Sequence, residues 1–421
     1  NVSRALYTAE IAGTRNHVVM CHEMGCTLVA LPAAGYRFEG WYTTDGYTQR
    51  LSSSTTYLYT PASNDASIFP KFTANTRPLD DEGTANCYIA PALNTSYSFD
   101  ATTMGNGCTT LNVTPKRLSG VSARILWETG TLSEAIVKDV RYQDGRITFT
   151  TGTTHGNAVI GLFDSRGECL WSWHIWATNG ALTTHVYPSG YVFMDRNLGA
   201  ENLDPGDPAS RGLYYQWGRK DPFPYDLEAF DYGEGFAFGT YYGEDSSMAT
   251  VTWAAAHPAT LLGRAADPSD PAQRLCSWLG QPSPNLWGNA STGGRPATAS
   301  AKSIYDPCPP GWRVPPPEAW TLEQTTVSST IEGGCYLYTG SVWPYYPYAG
   351  LLHVMPTGKE MYVGVGIRTQ LWTNAPGSPA SDPSRVDATT AVSFGVLPPE
   401  VLQLYRQNHQ AAAYPVRCVK E

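Results

Sequence analysis

Apolar and polar residues alternate with a period of two along much of this chain, the spacing that places successive side chains on opposite faces of a strand. Val140 and Tyr142 lead into Gln143-Asp144-Gly145, and Arg146, Ile147, Thr148 and Phe149 lead out. Two strand patterns around Asp-Gly predict a β-hairpin. A second hairpin runs over 158–163, turns at 164–167 and returns over 169–176. On the return strand the alternation puts Trp171, Trp173 and Ile175 on one face and Ser172 and His174 on the other. Shorter strand patterns occupy Val18 to Leu31, broken near Glu23-Met24-Gly25, then 55–59 and 68–72. Helical signals are few. Prolines followed by an acidic first turn predict short helices over 315–324 and 398–405. The stretch from about 201 to 300, rich in Gly, Pro, Asp and Ala, reads as loop.

Breaks in the pattern divide the chain into three domains. Residues 73–84 are polar, hold a Pro and a Gly, and read as a linker. The expected units are 1–75, 76–178 as an antiparallel β-sandwich, and 179–421. The expected fold is multidomain and mostly β, with an α+β third unit.

Composition sharpens the picture. Only 15% of residues are charged, against about a quarter in typical soluble domains, and their place is taken by 40 Gly, 32 Pro, 26 Tyr and 13 Trp among 421 residues. Aromatic residues and Thr suit pleated, half-buried surfaces, and Gly and Pro punctuate them. The net charge of −9 is spread thinly, with no basic stripe, which argues against nucleic acid as a partner. No apolar run reaches the length of a transmembrane helix. The chain opens on polar residues, as expected of a mature or trimmed chain whose export signal or lipid anchor precedes it. Nine scattered cysteines in a β-rich chain suggest an oxidising compartment, although buried thiols acting as small apolar residues are an equal reading.

No catalytic or metal-binding motif stands in the sequence: G-x-S-x-G, H-E-x-x-H, a Walker loop and paired C-x-x-C are all absent. The expected catalytic set and metal set are therefore empty. His174 has no ligand partner at metal spacing and reads as structural. Arg196, Arg313 and Arg417 lie in apolar runs and need partners if buried, with Asp195, Asp221 and Asp306 as candidates. The loop Asn202-Leu203-Asp204-Pro205-Gly206-Asp207-Pro208 has oxygen ligands for a structural calcium, but a solvated turn is the stronger reading. Sequons at Asn94, Asn112 and Asn289 carry little weight. The densest candidate for binding is 336–348, with six aromatics in thirteen residues. Tyr338, Trp343, Tyr345, Tyr346 and Tyr348 are the expected ligand-binding residues there, since aromatic faces suit amphipathic rings such as sugars. The stronger reading of the segment is that it packs onto its own domain.

Two resemblances give these units an expected identity. Pro32, Gly35, Tyr36, Phe38, Gly40, Trp41 and Tyr42, in that spacing, resemble the β-grasp-like Listeria–Bacteroides repeat. That resemblance implies a spacer module of a bacterial surface protein, with its aromatics in the core. In the third unit four blocks stand in a characteristic order: 192–199, 214–223, 305–315 with Trp320, and 414–419. Together they resemble the Fibrobacter succinogenes major paralogous domain, secreted or lipid-anchored proteins of gut bacteria. That family is similar in turn to the C-type-lectin and formylglycine-generating-enzyme fold. The acid usually placed just before Trp320 is displaced, since Ala319 stands there and Glu318 one earlier. A family strand is altered at Gln370–Asn374. The region 75–178 resembles the sandwich found before this domain in fimbrillin-related proteins.

The resemblance implies that Cys308 and Cys418 meet and form a structural disulfide; Cys87 with Cys108 and Cys21 with Cys26 are further candidate pairs. Cys276 and Cys335 do not match the cysteine pattern of the formylglycine-generating enzymes. The expected function is therefore non-catalytic: an exported cell-surface adhesin or fimbrial accessory or tip subunit. It would recognise glycan or host protein through the third unit and would have other fimbrial subunits as possible partners. Alternatives are an assembly component of a surface complex or polysaccharide-utilisation system, and, least favoured, an enzyme. No cofactor is expected beyond that calcium.

Overall fold

A computed structural model describes residues 8–12, 18–20, 26–32, 36–60, 66–74, 76–110, 112–130, 133–225, 236–242, 246–265, 276–288, 301–320, 325–331, 333–340, 342–354, 360–378, 387–397 and 401–421. The protein is mostly β. It forms two compact units rather than three: residues 1–77 with 95–97, and residues 78–94 with 98–421.

The first unit holds two small sheets. In one, Thr8–Ala12 runs parallel to Cys26–Leu31, which pairs antiparallel with Thr56–Tyr59. In the other, Ala66–Ala74 lies between Val18–Met20 and Tyr36–Tyr42, and Arg50–Ser52 closes the edge. Val18–Met20 and Cys26–Leu31 are thus members of different sheets. Leu28, Trp41 and Ile68 are fully buried, and Phe38, Leu51, Tyr57 and Phe72 pack against them. The Trp41 indole N–H donates to the Ser54 carbonyl at 2.9 Å. Gly40 is required by close approach: a Cβ there would lie 2.8 Å from the Ser52 carbonyl oxygen. Tyr36 departs from the expected core, since it is exposed. The turn expected at Pro32 to Gly35 falls mostly outside the described residues, as does Cys21.

Both hairpins of the sandwich form. Val137–Gln143 pairs with Arg146–Thr151, and Asp144 and Gly145 take positive φ of 52° and 80°, the conformation of a two-residue type I′ turn. Gly156–Phe163 pairs with Cys169–Ala177, flanked by Ser122–Glu128 on one side and Cys87–Ile89 on the other. Phe99 joins the two layers, with Tyr88 at 4.8 Å and Trp173 at 5.3 Å between ring centroids.

Alternation alone predicts a wet outer face for the strand Cys169–Ala177, yet eight of its nine residues are buried. The C-terminal residues cover it. Ser172 Oγ donates to Asp221 at 2.6 Å, and Asn157, which bonds His174, also donates to the Gly199 carbonyl. One apolar cluster contains Cys87, Trp127, Val159 and Trp176 together with Met194, Trp217, Cys308 and Val416. The expected boundary at 178/179 therefore separates no independent cores.

In the C-terminal part, Val192–Met194 pairs with the last strand Val419–Lys420, which also pairs with Trp312–Arg313. Tyr215–Gln216 pairs with Ala413–Tyr414, which adjoins Leu351–Val354. Thr369–Gly377, Asp387–Leu397 and Val401–His409 form an antiparallel sheet. This corrects the helix expected over 398–405: residues 401–405 are strand, because Leu397↔Val401 through Thr390↔His409 pairing outweighs the local Pro-Pro-Glu signal. Over 315–324 only a 3₁₀ turn, Pro317–Ala319, lies in the described residues. The stretch read as loop contains parallel strands Ala237–Tyr242 and Thr260–Ala265 and the helix Val251–Ala256, which Thr250 Oγ1 caps by accepting from the Trp253 N–H at 3.1 Å.

Candidate functional site

The aromatic segment forms a hairpin of Gly334–Thr339 and Tyr345–Pro347, with Gly340 at φ 85° in the turn. Its backbone register divides its rings. Tyr345, Tyr346 and Tyr348 are 6%, 0% and 7% exposed. This corrects their expected role as a ligand platform, because their faces are already occupied. The Arg417 guanidinium lies over the Tyr346 ring at 3.8 Å and donates to the Tyr345 carbonyl at 2.8 Å. The Tyr346 and Tyr187 hydroxyls bond each other, and the Trp320 indole donates to Tyr346 Oη at 3.4 Å. Burial, followed by the neighbouring Tyr346, holds the Tyr187 phenol well above its ordinary range, so the Tyr187 hydroxyl stays protonated.

Two of the five expected residues remain at the surface. Trp343 is 49% exposed, and its ring sits 4.7 Å from that of half-buried Tyr338, tilted by 40°. The Tyr338 hydroxyl donates to the Gly340 carbonyl at 2.6 Å and so fixes the ring beside the turn. Of the thirteen tryptophans ten are buried, Trp253 and Trp312 are half-buried, and Trp343 alone is exposed.

Most of the polar residues singled out by sequence are accounted for by packing, while Arg313 is half-buried on the strand Trp312–Arg313. Arg196 makes a two-point ion pair with Asp195, Nε to Oδ1 at 2.9 Å and an Nη to Oδ2 at 3.1 Å. Asp221 pairs with buried Lys220 at 2.5 Å, and Asp306 with buried Lys302 at 2.9 Å. Lys302 also donates to the Cys308 and Trp312 carbonyls. Arg417 uses Asn197 Oδ1 at 3.0 Å rather than a carboxylate. His174 is buried and held neutral, its pKa pushed down to about 3 by desolvation, and its Nε2 bonds Asn157 Oδ1 at 2.9 Å. In the loop 202–208 Asp207 is spent on structure: it accepts from the Ala209 N–H and the Asn202 amide, capping the 3₁₀ turn Pro208–Arg211. Among the described residues no group of three or more His, Cys, Asp or Glu is placed to hold a metal ion.

Cys308 and Cys418 are bonded, with Cα atoms 6.1 Å apart. The pairing considered for Cys87 and Cys108 does not form: Cys87 is a buried thiol in the apolar core and Cys108 an exposed one. Burial raises both Cys87 and Cys169, the latter to about 12, so neither is a nucleophile at neutral pH. Gly311 sits at φ 73° with open space where a Cβ would be, so it supplies conformation rather than close approach.

Sequence reasoning missed a cleft of about 910 Å³ in the second unit, whose lining comes from residues between 104 and 305. Its members share no motif and are distant in sequence, and those from 237 to 260 lie in the stretch that the pattern leaves as loop.

Residues 8–76 match the family model of the divergent InlB B-repeat domain. This agrees with the Listeria–Bacteroides-type repeat read at 28–42. A surface repeat of this kind points to an extracellular or cell-surface protein. No curated protein and no solved structure matches the chain. Among the described residues no helix is long and apolar enough to cross a membrane.

Proposed function

We propose that this chain is a non-catalytic binding protein of the bacterial surface, an adhesin or fimbrial accessory or tip subunit. Its C-terminal part, read as a major-paralogous domain of C-type-lectin-like fold, recognises glycan or protein, and its N-terminal repeat holds that part away from the cell. The observation that carries the reading is the exposed Trp343 ring braced by Tyr338, in a protein that buries ten of its thirteen tryptophans. An exposed aromatic fixed by a hydrogen-bonded neighbour loses little entropy on binding, and many copies on a surface supply avidity.

Binding to broad glycan and matrix-protein arrays tests this. Trp343→Ala is expected to abolish binding while leaving the melting temperature unchanged. Tyr346→Ala, which opens a cavity under Arg417, is expected to lower the melting temperature by several degrees. Wild-type protein that binds nothing on such arrays removes the adhesin reading.

A second reading, an assembly component, is favoured by the strand Val401–His409. Among the described strands it has a neighbour on one side only, and it exposes Val401 and Tyr405. An open edge of nine residues is a template for adding a strand from another chain. Val401→Lys with Tyr405→Lys should then block incorporation into a surface assembly without changing array binding.

A further inference from the structure

The cleft of about 910 Å³ lies near the upper end of the roughly 300–1,000 Å³ range of ligand pockets. Two parts of the second unit line it. The sandwich contributes Lys116, Arg124 and Phe163, and the C-terminal part contributes Trp253, His257 and Tyr305. The Trp253 and His257 rings are stacked at 3.7 Å and 8°. His257 Nδ1 lies 2.8 Å from the Trp253 carbonyl, to which it donates, and this fixes the imidazole on the indole. The Arg124 guanidinium lies 3.5 Å from the centroid of the Phe163 ring, so its charge is held in place on an aromatic base. Lys116 and Arg124 are exposed. Glu168 also lines the cleft, but its carboxylate is 2.8 Å from Arg166, which balances it. Tyr305 is half-buried, and burial raises its phenol, so it stays a neutral hydroxyl able to donate or accept. In a chain of net charge −9, the described cleft wall thus joins two cations to a flat aromatic pair and a hydroxyl.

We propose that this cleft is a binding site for a short acidic oligosaccharide, one sugar ring stacking on the Trp253–His257 pair and its carboxylate facing Arg124 and Lys116. An amphipathic ring with one carboxylate matches each element: a flat apolar face for the stack, hydroxyls for Tyr305, and a charge for the two cations. A planar guanidinium is also the best two-point partner for a carboxylate. The site is separate from the Trp343 turn, and either assignment can fail without the other.

The test uses the full chain on an array of uronic- and sialic-acid oligosaccharides printed beside their neutral counterparts, the uronates as methyl esters and the sialylated chains without their terminal acid. Binding to at least one acidic glycan is expected, weakened tenfold or more in the neutral counterpart and by raised salt. Lys116→Ala with Arg124→Ala should weaken it by a similar factor; both side chains are at the surface, and a melting curve checks that the fold is intact. Trp253→Ala should abolish it, and Trp343→Ala should leave it unchanged. Should Trp253→Ala unfold, the charge pair and a shift of the His257 ring resonances of wild-type protein on titration with the bound glycan decide instead. Binding to no acidic glycan overturns the proposal, as does equal binding of the neutral counterparts. So does binding unaffected by the charge variants, or capture of acidic peptides in place of sugars.

Discussion

Glu201 is a carboxyl that the fold both buries and uses. Its Oε1 accepts from Thr129 Oγ1 at 2.9 Å and from the Asn157 amide at 3.2 Å, and burial pushes its pKa up to about 7. In the unfolded chain it loses its proton near its ordinary value of 4.5. Between these values the folded state binds more protons, so stability falls as pH rises through that window and levels off above it. Glu201→Gln resembles the protonated form and keeps both accepted bonds. It should match wild type below about pH 4.5 and exceed it by on the order of 1–3 kcal/mol above pH 7, measured by denaturant unfolding across pH. His174 works in the opposite sense, since a depressed histidine costs stability as pH falls below 6.5. That cost is common to both proteins and cancels in their difference. None of this was legible in the sequence. Glu201 follows a common block end, and its burial is created by Thr129 and Asn157, which lie far from it along the chain.

Elements were legible where a local signal and the pairing agreed. Asp144-Gly145 takes the two positive φ values that its turn type requires, and few residues other than Asn, Asp or Gly do so cheaply. Gly40 was legible only as a position of the repeat pattern, and the structure supplies the reason, a Cβ there lying 2.8 Å from the Ser52 carbonyl oxygen. Gly40→Ala would bring a methyl group onto the Ser52 carbonyl and should destabilise the N-terminal unit by roughly 1–3 kcal/mol, seen as a lower first transition in urea. Local reasoning failed where distant strands decided. Residues 401–405 carry a helix-entry signal but are strand because a partner strand, Asp387–Leu397, runs beside them. The tract 336–348 was legible as an aromatic segment packing onto its domain, but which of its rings would be interior was not. What fills the faces of its rings is Arg417, Tyr187 and Trp320, none of them adjacent to it in sequence.

At the scale of the molecule, the sandwich and the C-terminal part behave as a single body. Asn86 shows how: its amide donates to the Ile304 carbonyl at 2.7 Å and the Asp306 carbonyl at 2.9 Å, while its oxygen accepts from the Trp171 indole at 2.9 Å. A fragment of residues 179–421 would leave Trp217, Lys220 and the Asp306 turn without their cover. It should lack the cooperative thermal transition expected of residues 78–421 together, as read by near-ultraviolet circular dichroism. A break in the strand pattern near 180 suggests a boundary because each side has its own alternation. Sequence alternation reports which faces are apolar, not whether a polar face will also be covered.

The bond between Cys308 and Cys418 acquires another meaning if this chain is pulled, as any protein tethering a cell must be. The two cysteines are 110 residues apart. Under tension an unravelled chain lengthens by about 3.5 Å per residue, so the closed loop withholds about 380 Å of extension. The last strand, next to Val192–Met194 and Trp312–Arg313, then passes load across the loop rather than around it. Single-molecule stretching of the oxidised protein should show a contour length shorter by about that amount than after reduction. The disulfide would thus act as a stop that shields residues 308–418 from the load while the rest of the chain gives way.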